Sequence, residues 1–176
     1  MPGKANDGNE GRKGKDSEEG TMKVTVSSDE YAPLVDVVVE EIEKRGHEVE
    51  YFGPRAGDPA SDDHDWPLVT VKAVSQVASG EADEAVVMCW TGTGASLAAN
   101  KVAGIRAALC HDAETARGAR VWNHANVLAL SLRATPLPIA REIMAAWFDT
   151  PYSDDDWNLR QMARIRSLDE RVHEED

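Results

Sequence analysis

The chain has 176 residues, a length typical of one domain, and 41% of them are hydrophobic, which is enough for a buried core. Its 19 basic and 32 acidic side chains give a formal net charge of −13, which disfavours nucleic acid and anionic membranes as partners because both are polyanions. No apolar run reaches the about 18–20 residues of a membrane-spanning helix and no secretory signal is visible, so we expect a cytoplasmic protein without membrane or nucleic-acid partners.

Residues 1–21 differ in composition from the rest of the chain. They contain no aromatic or apolar β-branched residue and are rich in Gly, Lys, Asp and Glu. Such a segment buries too little surface to offset the entropy lost on ordering. We therefore predict a disordered tail at 1–21 and a single domain over 22–176.

From Met22 onward, short apolar segments alternate with segments of helical periodicity. Strands are predicted at 22–27, 48–52, 84–89, 105–110 and 127–130. Helices are predicted at 34–45, 67–78, 95–102, 113–121 and 137–148, followed by an extra, mostly polar C-terminal helix at about 154–173. This alternation predicts an α/β fold, a Rossmann-like three-layer sandwich with a five-stranded parallel sheet.

In an open sheet of this kind, ligands bind beyond the carboxyl ends of the strands. Four segments of the chain fall at such ends: 28–30, 89–94, 111–112 and 131–133. The two cysteines of the chain lie inside apolar runs and do not make a disulfide framework.

The segment at 89–94 carries the strongest chemical signal. Gly92 and Gly94 permit a positive φ, and successive N–H groups there can form an anion-binding turn. The segment lacks the third glycine of a dinucleotide-binding loop and the G-K-[ST] ending of a P-loop. A glycine turn that only bends the chain is the plain alternative.

Cys89 directly precedes this turn. The positive end of the following helix favours its thiolate, and a thiolate beside backbone amides suits removal of a proton next to a carbonyl, with the enediolate held by the amides. The alternative is a buried apolar cysteine, which is common in proteins.

The sequence from this loop onward reads CWTGTGASLAANKVAGIRAALCHDAETARGARVWNHANVLALSLR. It strongly resembles the ribose-5-phosphate isomerase B / galactose-6-phosphate isomerase family. The resemblance extends over about residues 22–166, and its most specific parts are AANK followed by GIRAAL, and NVLA.

The resemblance implies a homodimeric (possibly tetrameric) aldose–ketose isomerase that uses no cofactor and no metal, with active sites at the subunit interface. Its expected substrate is a small sugar phosphate, of the ribose 5-phosphate/ribulose 5-phosphate type of the pentose phosphate pathway. Cys89 would move the proton between C1 and C2. The residues implied to hold the enediolate are Thr91 and the loop Gly92, Thr93 and Gly94.

The resemblance also implies substrate contacts outside this loop. Asp29 matches the aspartate of the family's S-D-H-A-G motif, which contacts the sugar. Asn123 matches the asparagine of an H-N motif, while Arg133 and Arg160 match arginines on the phosphate side.

Several positions depart from the family pattern. Glu30 replaces a histidine that contacts phosphate, and Trp122 replaces the histidine that opens the sugar ring. Trp90 follows the catalytic cysteine, Trp66 replaces a tyrosine before a proline, and Gln161 replaces a second C-terminal arginine.

These departures leave three interpretations open. In the first, His124 or His111 takes over ring opening, or the sugar phosphate is too short to cyclise; the plain alternative is that each histidine is a surface residue. In the second, Trp66, Trp90 and Trp122 reshape the pocket for a different or non-phosphorylated sugar, unless they only pack in the core or a dimer interface. Glu30 would then bind the substrate by accepting hydrogen bonds from its hydroxyls, or act as an acid or base. In the third, the protein is a non-catalytic ligand-binding dimer.

Overall fold

The computed structural model describes residues 20–172, with side chains described up to residue 169. Five strands, β1 to β5, span Lys23–Ser28, Glu48–Phe52, Glu84–Cys89, Ala107–Leu109 and Val127–Ser131. Six helices, α1 to α6, span Pro33–Glu43, Trp66–Ser79, Thr93–Ala99, Ala113–Asn123, Leu137–Asp149 and Asp156–Val172. A 3₁₀ turn at Asp62–His64 precedes α2.

The strands form one parallel sheet in the order β2-β1-β3-β5-β4. In its register, Ser28 at the end of β1 pairs with Met88, and Cys89 at the end of β3 pairs with Ser131 at the end of β5. The carboxyl ends of these three strands therefore meet at one edge, and the predicted α/β sandwich is confirmed.

Strand β3 shows how the two faces of the sheet are covered. Its side chains alternate, so that Val86 and Met88 pack with α1, α4 and α5, whereas Val87 and Cys89 pack with α2 and α3. All of β3 is buried because helices cover both faces, which is why the strand is nearly continuous in apolar residues.

The edge strand β4 is shorter than the predicted 105–110, because side-chain amides replace part of its pairing. The Asn100 side chain accepts a hydrogen bond from Ala107 N (2.9 Å) and donates one to Ala107 O (2.9 Å). Asn126 likewise accepts from Arg106 N (2.8 Å) and donates to Gly104 O (3.0 Å). The asparagines of the AANK and NVLA motifs therefore hold the sheet edge together.

The C-terminal helix α6 lies close to its predicted position and is fixed by polar contacts. Its buried Asn158 donates to Val121 O at the end of α4 (2.7 Å), and Asp169 accepts from Gly104 N (3.0 Å). No helix in the described part of the chain is both long and apolar enough to cross a membrane. The tail predicted at 1–21 lies outside the described residues except for its last two.

Candidate active site

Cys89 ends β3 at the carboxyl edge of the sheet. Its side chain is only 4% exposed, and its Sγ accepts a hydrogen bond from the Ala95 N–H across 3.5 Å. This contact holds the sulfur in one orientation at the start of α3. The sulfur therefore has a fixed position at the strand end, with a hydrogen-bond donor suited to a nucleophile or base.

The turn that follows Cys89 requires glycine at position 92. Gly92 has φ of 75°, and its N–H donates to Cys89 O (3.2 Å). A Cβ atom at this position would lie 2.6 Å from Leu109 Cδ1 and 2.9 Å from Leu130 O. Both the backbone angle and the close approach to β5 exclude a side chain.

Two hydroxyl groups lie at the surface of the same turn. The Thr91 and Thr93 Oγ1 atoms are 2.7 Å apart and hydrogen-bonded to each other. Arg133 lies two residues after β5 at the same edge of the sheet. Its N–H donates to Trp90 O (3.1 Å), and its side chain is exposed. The structure thus places Cys89, the hydroxyl pair and Arg133 on adjacent segments.

Asp29 follows β1 at the same edge. Its carboxylate atom Oδ1 is buried and has no hydrogen-bond partner among the described residues. Burial raises the pKa of the Asp29 carboxyl above its ordinary value, and the nearby charge of Glu30 adds to the shift. An unpaired acceptor of this kind suits a hydrogen bond from a sugar hydroxyl.

A cleft of about 530 Å³ opens beside Asp29. Its wall is the segment between β2 and α2 together with the end of β1, and its lining includes Asp29, Glu30, Arg55, His64, Asp65 and Trp66. Trp66 connects the cleft to the loop at residues 89–94, called the cysteine loop below. A Cβ atom at Gly94 in this loop would lie 3.1 Å from the indole ring. The cleft and the cysteine loop therefore adjoin each other.

Arg55 lies at a strand end that is not among the four expected from the sequence. It follows the end of β2 by three residues. The G-P-R sequence at 53–55, directly after a predicted strand, was the available signal. Gly53 brings this segment to the site, because a Cβ atom there would lie 2.2 Å from Ser28 O.

Other predicted site residues lie at the opposite edge of the sheet. Asn123 ends α4 before the first residue of β5, so the five residues of that strand, about 13 Å in length, separate it from the edge of Cys89. Arg160 lies two residues after Asn158, which binds Val121 at the same end of α4. Within one chain these two residues do not join the cysteine loop.

The three tryptophans considered as pocket residues are also divided between the edges. Trp66 and Trp90 lie at the cysteine edge, and Trp90 is 56% exposed. Trp122 lies near the end of α4, where it is 60% exposed and covers Gly118, whose Cβ would lie 2.9 Å from its ring. One chain therefore does not form a pocket from all three.

The histidines proposed for ring opening have different surroundings. His124 stacks on Tyr152 with ring centroids 4.6 Å apart, and its Nε2 is 2.8 Å from Ser153 O and 3.1 Å from Asn158 Nδ2. These contacts give His124 a structural role. His111 is exposed beyond β4, 3.8 Å from Asp112.

Among residues 20–169, whose side chains are described, no group of three or more His, Cys, Asp or Glu could hold a metal ion. The chemistry that they offer at the cysteine edge consists of a positioned thiol, two hydroxyls, backbone amides and carboxylates. This set can move protons between carbon and oxygen.

Known proteins are similar to this chain in sequence and in fold. Residues 24–168 match the family described as Ribose/Galactose Isomerase. D-erythrulose-4-phosphate isomerase of Pectobacterium atrosepticum is 31% identical over 74% of this chain and 85% of its own length. Ribose-5-phosphate isomerase B of Escherichia coli is 40% identical over 54% of this chain and 64% of its own length.

A solved structure agrees with these relatives. Type B ribose 5-phosphate isomerase of Trypanosoma brucei superposes with a TM-score of 0.77 at 36% identity, covering 85% of this chain and 99% of that one. The family match over residues 24–168 includes the strands, apart from Lys23 of β1, and the loop at 89–94. The chain therefore belongs to the ribose/galactose isomerase family of sugar phosphate isomerases.

Proposed function

We propose that this protein interconverts the aldose and ketose forms of a sugar phosphate, with Cys89 as the base. The observation that carries the proposal is the buried Cys89 Sγ, fixed at the strand end and bonded by the Ala95 N–H, beside a glycine turn. The family to which the chain belongs supports an isomerase.

The reaction needs one proton to move between neighbouring carbons. The Cys89 thiolate takes the C2 proton of the aldose, and the C–H electron pair forms the C1–C2 double bond while the carbonyl electrons move to O1. The hydroxyl proton on O2 passes to O1. The Cys89 thiol then returns its proton to C1 as O2 becomes the carbonyl oxygen. Backbone amides of the turn and the Thr91 hydroxyl stabilise the intermediate negative charge.

The proposed site is shared by two subunits of a homodimer. Cys89, Asp29 and Arg133 come from the carboxyl edge of one chain, whereas Asn123 and Arg160 lie at the amino edge and would come from the partner. The separation of the two edges by the length of β5 supports this arrangement. Arg133 and Arg160 then supply positive charge for the phosphate.

Replacing Cys89 by serine tests the proposal. We expect kcat to fall by about 10²–10⁴-fold, the usual contribution of a general base, with KM little changed. The measurement is deuterium incorporation from D₂O at C2 of ribose 5-phosphate and ribose, and at C1 of D-erythrulose 4-phosphate and D-erythrulose, since C2 of a ketose is the carbonyl carbon.

Cys110→Ala is the matched control, since burial raises the pKa of the Cys110 thiol to about 12 and keeps it protonated. Unchanged exchange in Cys89→Ser would mean that Cys89 is not the base. No exchange by the wild-type protein with any substrate would leave the ligand-binding dimer as the better interpretation.

One observation favours a substrate that does not form a ring. His124 is held by Tyr152, Ser153 and Asn158, and Trp122 occupies the position that the resemblance assigns to ring opening. A four-carbon 4-phosphate lacks the free hydroxyl needed for a five-membered ring, and one relative is named as a D-erythrulose-4-phosphate isomerase. We expect kcat/KM to be higher for this substrate than for ribose 5-phosphate; the reverse order would indicate a ring-opening group elsewhere.

A further inference from the structure

We infer that Arg55 is a further substrate-binding residue, and that its guanidinium binds the substrate phosphate in the cleft beside Asp29 and Glu30. The inference rests on the proposed isomerase function. Arg55 would add a cation to the same site, and it comes from the same chain as Cys89.

The backbone around Arg55 is fixed against the end of β1. Gly53 approaches Ser28 O so closely that no side chain fits, and Pro54 O accepts a hydrogen bond from the Tyr51 hydroxyl (2.8 Å). The Arg55 N–H then donates to Asp58 Oδ2 (2.7 Å). Three successive residues thus have defined positions, and the third, Arg55, lines the cleft and also the neighbouring pocket that contains Tyr51.

The Arg55 guanidinium remains available to an anion. Its carbon Cζ lies 5.5 Å from the centroid of the Tyr51 ring, and within the described part of the chain no carboxylate is in salt-bridge range of it. By contrast, Arg45 and Arg141 are paired with glutamates of α1. The donor pairs of a guanidinium match the oxygens of a phosphate.

Acidic side chains outnumber basic ones in the described lining of the cleft, so a phosphate bound there would need Arg55. Its described lining contains the carboxyl groups of Asp29, Glu30, Asp58, Asp62 and Asp65, against the basic side chains of Arg55 and His64. Asp58 accepts a hydrogen bond from the Arg55 amide, and burial raises the pKa of the Asp29 carboxyl above its ordinary value. Glu30 is exposed, and Arg55 supplies an opposite charge in the lining of the same cleft.

The test measures binding, so that it does not depend on turnover. In the Cys89→Ser background, calorimetry compares ribose 5-phosphate with ribose, and D-erythrulose 4-phosphate with D-erythrulose, with inorganic phosphate as a separate probe. Arg55→Ala should weaken binding of the phosphorylated ligands about 10–100-fold and leave the free sugars unchanged. Arg55→Lys should lie between, because it keeps the charge without the paired donors.

A double variant separates an electrostatic role from a structural one. Adding Glu30→Gln to Arg55→Ala should recover part of the lost phosphate affinity, because it removes the repulsion that Arg55 offsets. Lys72→Ala is the charge-matched control: its Nζ lies over the Phe52 ring (4.9 Å to the centroid), outside this cleft. We expect it to change phosphate affinity by less than about twofold.

Three results would overturn the inference: no phosphate binding by the parent protein, an Arg55→Ala effect no larger than that of Lys72→Ala, or equal losses for phosphorylated and free sugars. Deuterium exchange by the wild-type protein tests the isomerase proposal separately. If the wild-type protein exchanges deuterium but phosphate binding does not depend on Arg55, only the role of Arg55 is rejected. If phosphate binding depends on Arg55 but the wild-type protein exchanges no deuterium, only the isomerase proposal is rejected.

Discussion

Gly92 combines a left-handed backbone in the cysteine loop with close packing against the sheet. Its φ of 75° is a left-handed value, and a Cβ atom there would meet Leu109 of β4 and Leu130 of β5. Gly46 has nearly the same φ, 78°, but a Cβ atom there would have nothing within 4 Å. The two glycines therefore share the backbone requirement and differ in the close contact.

We predict that Gly92→Ala destabilises the protein more than Gly46→Ala. The left-handed backbone costs both variants about 1–2 kcal/mol, and Gly92→Ala should lose about 1–3 kcal/mol more because β5 must shift. Urea unfolding measures the difference, and isomerase activity should fall in Gly92→Ala alone. Equal losses of unfolding free energy would mean that β5 accommodates the methyl group.

At the scale of elements, a buried ion pair joins β3, α4 and α5. Glu84 at the start of β3 accepts hydrogen bonds from Arg120 (2.6 Å) and from Trp147 Nε1 (2.6 Å). Arg120 lies between the Trp147 and Tyr152 rings and also donates to Ala125 O (2.8 Å). Burial raises the pKa of Glu84 and the Arg120 charge opposes the shift, so the carboxylate depends on its partner.

Breaking this pair should be costly because the remaining charge stays buried. We predict that Arg120→Met lowers the free energy of unfolding by about 3–5 kcal/mol, and that Glu84→Gln with Arg120→Met loses less than the two single changes added together. Arg117→Ala, which removes the exposed pair with Glu114 on the same helix, should cost less than about 1 kcal/mol. Similar losses in Arg117→Ala and Arg120→Met would contradict this assignment.

For the whole molecule, the central feature is the division of the expected site between two edges of the sheet. Cys89 and Thr91 lie at the carboxyl edge, and Asn123 lies at the amino edge. A parallel sheet has these edges on opposite sides. We therefore propose that two copies of the chain form the site, in which each subunit supplies one edge to the other.

Mixing inactive variants tests this arrangement. Cys89→Ser and Asn123→Ala place their defects in different edges, so a mixed dimer has one intact site. Co-expression in equal amounts should restore about a quarter of wild-type activity, because about half of the dimers are mixed and each has one site of two. A mixture of Cys89→Ser with Thr91→Ala, both at one edge, should recover no more than the separate variants. Equal recovery in both mixtures, or in neither, would contradict the shared site.

Features that depend on neighbouring residues could be predicted from the sequence. The alternation of apolar strands and helices indicated the sheet, and the 89–94 loop with its motifs indicated the family, because periodicity, glycine and family motifs are local properties. The exact ends of β4 and α3 were not predicted, since Asn100 and Asn126 act there through side-chain bonds to the backbone across the sheet edge.

The amino-acid sequence by itself determined the fold class, the family and the residue types of the candidate site. Only the tertiary structure decided that Asn123 and Cys89 lie at opposite edges, that His124 is held by Tyr152, and that Arg55 lines the cleft of Asp29. The physical reason is that strand order and the packing of distant loops set these distances. Local sequence patterns specify neither the strand order nor the packing of distant loops.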